Sequence, residues 1–337
     1  MIDSFFEQIY LDTVNETGNG NGELQRNKRR QQIDALMGDF RDYNVKVTNV
    51  QVVGTVEYDE YTRQKLMFQF AKDLTGSTYV LTPKNDRDIH PTVLAIHGHG
   101  YGNKEIVGLT KEGEEDNNNQ SGIYQHFAVQ LVKRGMKVIA PEVLGFGERR
   151  LSEDIEDDKP SSCEPMATQL LMTGRTLAGL RVTETRRLID WVETMEDVDK
   201  KRIGMMGFSG GGLIAAFTAA LDNRIKATVI SGFTNTFKGS ILAIHHCIDN
   251  YVPGILEISE LPEIIGLIAP RGLFVEGGHD DPIFPVKHTK LAIAQLEAIY
   301  RDMYDYPDRF SYDIFEGSHQ IGGEKSYDWL RNYLLNI

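Results

Sequence analysis

The stretch RIGMMGFSGGGLIAAFTAA, residues 202–220, runs a short apolar segment into a glycine-rich turn and then into a run of small residues typical of a helix. Glycine is the costliest residue to order, and four glycines fall among the six positions from 207 to 212. So many glycines at one junction indicate a backbone that is forced into a tight bend between a strand and a helix. We expect the bend to display the serine within it, Ser209.

Short apolar runs alternate with helical patterns on both sides of this stretch. Residues 91–96, 136–143, 225–231 and 271–277 predict buried strands, and helices are predicted over 122–135 and 168–195. Strands that are buried on both faces and alternate with helices are typical of a parallel sheet. The sequence therefore predicts an α/β fold with a mainly parallel central sheet and helices on both faces.

Three segments stand apart from this alternation. Residues 1–45 are polar and predict an N-terminal helical extension, which leaves 46–337 as one large domain. Within that domain, period-two alternation at 46–58 and 64–70 predicts antiparallel strands. Residues 233–268 are long for a connection in a compact domain, so we expect them to form a cap over the site.

Bulk composition excludes several classes of protein. The net charge of −13 over 337 residues argues against nucleic acid or an anionic membrane as the main partner. The two cysteines are too few for a disulfide framework, and no apolar run is long enough to span a membrane. We expect a cytoplasmic protein that acts on a small molecule, and homo-oligomerisation stays open.

Candidate catalytic residues follow the ends of the predicted strands. Ser209 follows one strand, the adjacent carboxylates Asp280 and Asp281 follow another, and His319 follows the last. Carboxyl ends of parallel strands meet at one edge of the sheet, where ligands bind. A serine hydroxyl needs a base to remove its proton, and a histidine base needs a carboxylate to orient it. The order Ser…Asp…His therefore predicts a catalytic triad.

The acid and the oxyanion-binding groups follow from the same argument. Side chains of neighbouring residues diverge, so only one of Asp280 and Asp281 can face His319, and Asp249 is a third candidate. The backbone N–H of Gly210 begins a helix, where a developing oxyanion is favoured. We expect a second donor from the glycine-rich segment 97–100, at the N–H of His99.

Four motifs resemble the α/β-hydrolase superfamily: GFSGG at 207–211, HGHG at 97–100, GHDDPIFP at 278–285 and GSH at 317–319. The resemblance covers residues 80–337 and is greatest to the bacterial dienelactone hydrolase-like and acetyl xylan esterase-like serine hydrolases. It implies a triad acid just before the proline-containing turn, which favours Asp281. Dienelactone hydrolases carry cysteine as the nucleophile, whereas this chain has Ser209, so ordinary ester hydrolysis is the better inference.

Residues in the predicted cap could contact substrate. Phe233, His246 and Tyr251 are candidates for touching the acyl or alcohol group, although the segment could instead simply cover the edge of the sheet. His97 and His99 form an HxH pair of the kind that can ligate zinc, but no matching Cys/His spacing occurs elsewhere. We therefore expect no metal and no cofactor.

The sequence as a whole predicts a serine esterase that works through an acyl-enzyme on Ser209. The resemblance points to short acyl esters and to acetylated carbohydrates as substrates. A serine peptidase, a thioester or lactone hydrolase of the same fold, and a non-catalytic ligand-binding protein are the alternatives.

Overall fold

A computed structural model describes residues 2–16, 22–117 and 122–337. Its nine strands form one sheet with the order β1-β2-β3-β5-β4-β6-β7-β8-β9. The strands are β1 (Thr48–Glu57), β2 (Tyr61–Ala71), β3 (Leu74–Pro83), β4 (His90–Ile96), β5 (Lys137–Pro141), β6 (Val198–Phe208), β7 (Ile225–Ser231), β8 (Gly272–Gly278) and β9 (Phe310–Phe315).

The sheet is antiparallel at one end and parallel over the rest. β1, β2, β3 and β5 pair antiparallel in that order, and every pair from β5 through β4 to β9 is parallel. Parallel strands need crossover connections, and helices supply them on both faces of the sheet. The predicted α/β fold with a mainly parallel central sheet is confirmed.

Helices cover the two faces of the sheet and enclose two apolar cores. The α-helices within the described residues are α1 (Ile2–Glu16), α2 (Glu23–Met37), α3 (Asn103–Ile106), α4 (Phe127–Lys133), α5 (Ser152–Glu156), α6 (Cys163–Met172), α7 (Leu177–Val192), α8 (Gly210–Leu221), α9 (Leu261–Gly266), α10 (Val286–Ala298) and α11 (Ser326–Leu335). None of these helices is long and apolar enough to cross a membrane. One side of the sheet carries α7, α8, α9 and α10, and the other carries α4 and α11.

The helix predicted over 168–195 is two helices, α6 and α7, with a turn between them. Gly174 lies in that turn with φ of +71°, a conformation that ends a helix. Two residues later, the side chain of Thr176 accepts a hydrogen bond of 2.9 Å from the N–H of Gly179 and so caps the start of α7. A glycine and a capping threonine within three residues therefore interrupt a pattern that looked continuous.

Helices α1 and α2 lie within the N-terminal segment, residues 1–45, of which residues 1 and 17–21 are outside the described part. α2 packs on the body of the protein, where Ile33 and Met37 join the larger core. Arg26 in α2 is buried and donates hydrogen bonds to the carbonyls of Gly266 (2.7 Å) and Ala269 (3.2 Å). The division into an extension and a domain at residue 45 stays a prediction.

β1 is the edge strand at the antiparallel end of the sheet. Nine of its ten residues are exposed, including Val52 (55%) and Val53 (53%). Its register against β2 shifts at two places, between Thr48 and Gln51 and between Val52 and Gly54. Each shift is an irregularity of the β-bulge kind.

Candidate active site

Ser209 stands at the sharp turn between β6 and α8. Its backbone has φ of +54° and ψ of −120°, which is rare for a residue with a side chain and marks local strain. Glycines let the strand and the helix approach each other there. A Cβ on Gly207 would lie 2.1 Å from the carbonyl oxygen of Gly211, and a Cβ on Gly211 would lie 2.1 Å from that of Ile96. The glycine-rich stretch thus forms the bend that displays Ser209.

His319 joins the serine to a carboxylate. Its Nε2 lies 2.9 Å from the Oγ of Ser209, and its Nδ1 lies 2.7 Å from Oδ2 of Asp281. The imidazole is half-buried and packs between the rings of Phe208 and Phe284, at centroid distances of 4.7 and 5.7 Å. The three side chains that the sequence predicts as a triad therefore form one continuous chain of hydrogen bonds.

Asp281, rather than Asp280, contacts the histidine. Its second oxygen, Oδ1, accepts hydrogen bonds from the N–H groups of Ile283 (2.8 Å) and Phe284 (2.9 Å). Burial acts to raise the pKa of Asp281, but the hydrogen bond from His319 and these backbone donors outweigh it and hold that pKa below its usual value. Asp280 is exposed and lies beside His279 instead.

The glycine-rich segment after β4 passes directly beside the turn at Ser209. The Cα of Gly98 is close enough to Gly210 that a Cβ on Gly98 would lie 2.8 Å from the N–H nitrogen of Gly210. No hydrogen bond within the described residues occupies the N–H of His99. The two predicted oxyanion donors, His99 and Gly210, therefore lie on neighbouring segments, the loop after β4 and the first turn of α8.

Tyr124 holds residues 97–100 in place, which the sequence did not reveal. We call this segment the oxyanion loop after the role predicted for His99. The tyrosine hydroxyl accepts a hydrogen bond of 2.9 Å from the N–H of Gly98 and donates one of 2.8 Å to the carbonyl of His99. Burial raises the pKa of Tyr124 far above its usual value, so the hydroxyl keeps the proton that it donates. On the other side, the ring of His97 accepts a hydrogen bond from the N–H of Val143 at 2.9 Å.

A cavity of about 330 Å³ opens at Ser209. Its wall combines apolar side chains with four histidines and other polar groups, a mixture that suits a small-molecule site. His246, one of the three predicted pocket residues, belongs to that wall. The lining residues are His99, Ile123, Phe208, Ser209, Gly210, Ile244, His245, His246, Cys247, Asn250, Ile283, Phe284 and His319.

The structure places the other two predicted pocket residues away from the cavity wall. Phe233 is buried in the core behind the site and packs against Phe284, with 5.5 Å between ring centroids. The hydroxyl of Tyr251 turns back and donates to the carbonyl of Ile241 at 3.3 Å. The segment 233–268 does border the site, but through its residues 244–250, as the lining shows.

His246 is fixed at the rim by a serine of the same segment. Its Nε2 lies 3.0 Å from the Oγ of Ser240, which in turn donates to the carbonyl of Ile283 at 2.7 Å. Burial lowers the pKa of His246 below its usual value. The ring is therefore neutral near pH 7 and presents a polar but uncharged edge to a ligand.

Asp249, the third candidate for the acid, belongs to a separate buried cluster. Its Oδ2 accepts a hydrogen bond of 2.5 Å from Arg181 and lies 3.5 Å from the Sγ of Cys163. The thiol of Cys247 adjoins Cys163, and its hydrogen bond lowers the pKa of Cys163. This cluster borders the cavity through His99 and Cys247, so it lies beside the triad without being part of it.

Comparisons with known proteins agree with this architecture. Residues 22–304 match the model of the Abhydrolase family. A Bacillus subtilis (strain 168) protein named "Putative hydrolase YtaP" is 28% identical over 284 residues, which cover 82% of this chain and 88% of that protein.

Solved structures share the fold at low sequence identity. A Bacteroides fragilis NCTC 9343 protein described as a "putative acetyl xylan esterase" superposes with a TM-score of 0.77 at 17% identity, over 93% of this chain and 87% of that one. A glucuronoyl esterase from Solibacter usitatus gives a TM-score of 0.62 at 17% identity, over 91% of each chain. Acetyl xylan esterase 1 from Thermoanaerobacterium sp. JW/SL YS485 gives 0.57 at 16% identity, over 96% of this chain and 97% of that one. With a family model matched over most of its length and a sheet of the expected topology, the chain belongs to the Abhydrolase family of α/β-hydrolases.

Proposed function

We propose that this protein is a serine esterase that hydrolyses short-acyl carboxylic esters, acetylated carbohydrates among them, through an acyl-enzyme on Ser209. The observation that carries the proposal is the chain of hydrogen bonds from Ser209 through His319 to Asp281, at 2.9 and 2.7 Å, on the wall of a cavity. A buried carboxylate, an imidazole and a serine at these distances are the arrangement that activates a hydroxyl as a nucleophile.

Acylation begins when the Oγ of Ser209 attacks the carbonyl carbon of the ester and its proton passes to Nε2 of His319. Asp281 accepts a hydrogen bond from Nδ1–H and stabilises the imidazolium that forms. The N–H groups of His99 and Gly210 donate to the negatively charged oxygen of the tetrahedral intermediate. The intermediate collapses as His319 returns the proton to the departing alcohol, which leaves an acyl group on Ser209.

Deacylation repeats these steps with water in place of the serine hydroxyl. His319 removes a proton from the water, the hydroxide attacks the acyl carbon, and the proton returns to Oγ as the carboxylic acid leaves. The overall reaction consumes one ester and one water and yields one acid and one alcohol. Every step is assigned to side chains and backbone groups already described.

The size and lining of the cavity support a small acyl group. The volume of about 330 Å³ is at the lower end for small-molecule sites, and it is shared by the acyl and alcohol parts of the substrate. Three relatives by fold are named as acetyl xylan or glucuronoyl esterases, which favours esters of carbohydrates as the substrate class. A larger concavity of about 750 Å³ lies at the opposite edge of the sheet, near Lys201 and Arg271, away from Ser209.

An active-site probe and a series of esters test the proposal. A fluorophosphonate should label the wild-type protein and the Ser152→Ala control, whose altered serine is exposed and distant in sequence from the motifs, but not Ser209→Ala. Ser209→Ala should also lower kcat for p-nitrophenyl acetate by about 10⁴-fold or more. Labelling that persists in Ser209→Ala would exclude that residue as the nucleophile.

The choice of substrate is tested separately. We expect kcat/KM to be highest for p-nitrophenyl acetate and to fall for the butyrate and octanoate, with acetylated xylo-oligosaccharides deacetylated as well. A value of kcat/KM that rises steadily with acyl length would contradict the short-acyl assignment. Faster cleavage of matched amide, thioester or lactone substrates would favour the corresponding alternative.

A further inference from the structure

Four side chains of the types that bind zinc meet beside the active site. They come from three segments that are far apart in the sequence: His99 from the loop after β4, Cys163 from the start of α6, and Cys247 and Asp249 from the segment 233–268. One ligand atom of each lies within 4.8 Å of those of the other three. The spacing of these residues in the sequence follows no zinc motif, and for that reason no metal is expected from the sequence alone.

Two distances within this cluster, which we call the His-Cys-Cys-Asp cluster, are close to those between the ligands of a tetrahedral ion. Oδ2 of Asp249 lies 3.5 Å from the Sγ of Cys163 and 3.7 Å from Nε2 of His99. Zinc bonds to sulfur at about 2.3 Å and to nitrogen or oxygen at about 2.0–2.1 Å, so its tetrahedral ligands lie about 3.3–3.8 Å apart. If the distance between Nε2 of His99 and Oδ2 of Asp249 shortened by a few tenths of an ångström, it would match the spacing of two ligands on one zinc ion.

The ring of His99 provides a second observation that points to a ligand in the cluster. Its Nε2 is buried and, within the part of the chain that the structure describes, has no hydrogen-bond partner. Buried polar atoms are nearly always paired, so an orphaned ring nitrogen facing two thiols and a carboxylate calls for a ligand. The ring is held edge-on against Phe146, with 4.8 Å between ring centroids, which orients Nε2 toward Asp249.

The charges also balance around a divalent cation. Arg181 is buried and donates to Oδ2 of Asp249 at 2.5 Å and to the Sγ of Cys163 at 3.2 Å. Two thiolates and one carboxylate carry three negative charges, which Arg181 and an ion of charge two neutralise together. Arg181 would then act as an outer partner that orients two of the ligands, a recurrent feature of metal sites.

We propose that His99, Cys163, Cys247 and Asp249 bind one divalent thiophilic cation of the zinc type with tetrahedral geometry. All four positions are filled by protein atoms, which is the pattern of a structural site rather than of one that activates water. The ion ties the segment 233–268 to α6 and to the oxyanion loop, and it thereby fixes the backbone of His99. When it binds, the thiol protons pass to solvent.

Cobalt substitution of the full-length, reduced protein tests the proposal without relying on activity. We expect one Co²⁺ per chain, with thiolate-to-cobalt charge-transfer bands in the near ultraviolet and intense visible bands typical of tetrahedral coordination. Zinc should displace the cobalt and raise Tm, because it binds the folded state in preference to the unfolded one. Cobalt that binds without thiolate bands, or a protein that retains no ion after desalting, would overturn the proposal.

Variants locate the ion. Cys163→Ser and Cys247→Ser should each remove the thiolate bands and the zinc-dependent rise in Tm. His279→Ala is the matched control, since His279, Asp280 and Glu316 form a second group of ligand-type residues that lies exposed at the surface. Bands that survive in the cysteine variants, or that disappear in His279→Ala, would place the ion elsewhere.

Thiol reactivity in the wild-type protein keeps the proposal falsifiable if the cysteine variants fail to fold. With zinc bound, both thiols should react much more slowly with an aromatic disulfide reagent, and a chelator should restore their reactivity. Equal rates with and without zinc would contradict the assignment. So would a disulfide between Cys163 and Cys247 that persists under the reducing conditions used for metal loading.

Discussion

Asp280 and Asp281 show how one step along the chain decides whether a carboxylate takes part in the site. Sequence reasoning leaves these two residues and Asp249 as candidates for the acid, and the resemblance to the α/β-hydrolases favours Asp281. Only one of the two adjacent side chains can face His319. Asp281 lies in the turn where the N–H groups of Ile283 and Phe284 bind its Oδ1, and this fixes its Oδ2 on His319. Asp280 points outward beside His279.

Matched substitutions of the two aspartates test their roles. Asp281→Asn should lower kcat for p-nitrophenyl acetate by about 10⁴-fold, because an amide at this position can stabilise neither the required tautomer of His319 nor its imidazolium. Asp280→Asn should leave kcat unchanged, because its carboxylate is exposed and contacts no triad residue. Steady-state kinetics of the two purified variants make the comparison, and a larger loss for Asp280→Asn would reverse the assignment.

Individual residues that act through tertiary contacts escape sequence reasoning. Tyr124 carries no motif, yet its hydroxyl bridges two groups of the oxyanion loop. The His-Cys-Cys-Asp cluster likewise joins residues from three distant segments. Ser209 and His319 could be found because each follows a recognisable strand, whereas the partners of a buried tyrosine or cysteine are determined only when the chain folds.

The turn between β6 and α8 is the element on which the site depends, and its glycines are not equivalent. A Cβ on Gly211 would meet two backbone oxygens, at 2.1 Å from Ile96 and 2.7 Å from His97. A Cβ on Gly210 would meet the ring of His99 at 3.4 Å and the Cα of Gly98 at 3.6 Å, and both distances are ordinary contacts. Neighbouring glycines in one helical turn thus experience opposite packing constraints.

Alanine at these two positions should therefore have contrasting effects on stability. Gly211→Ala is expected to reduce the free energy of unfolding by about 3 kcal/mol or more, because backbone atoms must move to make room for the methyl group. Gly210→Ala should change it by less than about 1 kcal/mol, since alanine also favours the helix. Urea denaturation followed by circular dichroism measures both, and equal losses would contradict the packing argument.

Strands and helices with a strong hydrophobic periodicity could be predicted from the sequence. The turns that divide or shorten the helices were harder to predict. The strands around Ser209 match the apolar runs closely, with β7 spanning the residues predicted for it. The helix predicted over 168–195 is divided at Gly174 because a single positive φ and a threonine cap outweigh helical periodicity. Similarly, the helix predicted over 122–135 begins only at Phe127, since Gln125 and His126 adopt positive φ.

At the scale of the whole molecule, the N-terminal helices differ in how firmly they belong to the fold. α2 contributes Ile33 and Met37 to the larger core, with exposures of 0% and 2%. α1 leaves Phe5 and Phe6 more than 60% exposed. The boundary at residue 45 is predicted from a change in sequence pattern. Helix α2 lies before this boundary, yet it packs into the core of the domain that follows.

Truncations distinguish these two descriptions. Removing residues 1–45 should lower Tm by about 10 °C or more, because it opens the core at Ile33 and Met37, where losing one large apolar side chain alone costs about 2–5 kcal/mol. Removing only residues 1–16 should have a much smaller effect, since no side chain among residues 2–14 is buried. Differential scanning calorimetry of both proteins provides the test. If the protein that lacks residues 1–45 kept the Tm of the full-length protein, residues 46–337 would form an independent domain.

The two irregularities in β1 have a consequence for how copies of this protein behave toward one another. A ten-residue edge strand with outward-facing valines offers a template on which a foreign strand could extend the ladder. Bulges twist and bend an edge strand, so that a straight strand from another molecule cannot pair with it in continuous register. We therefore expect the register shifts near Gln51 and Gly54 to oppose fibril-like assembly of the protein through this edge of the sheet.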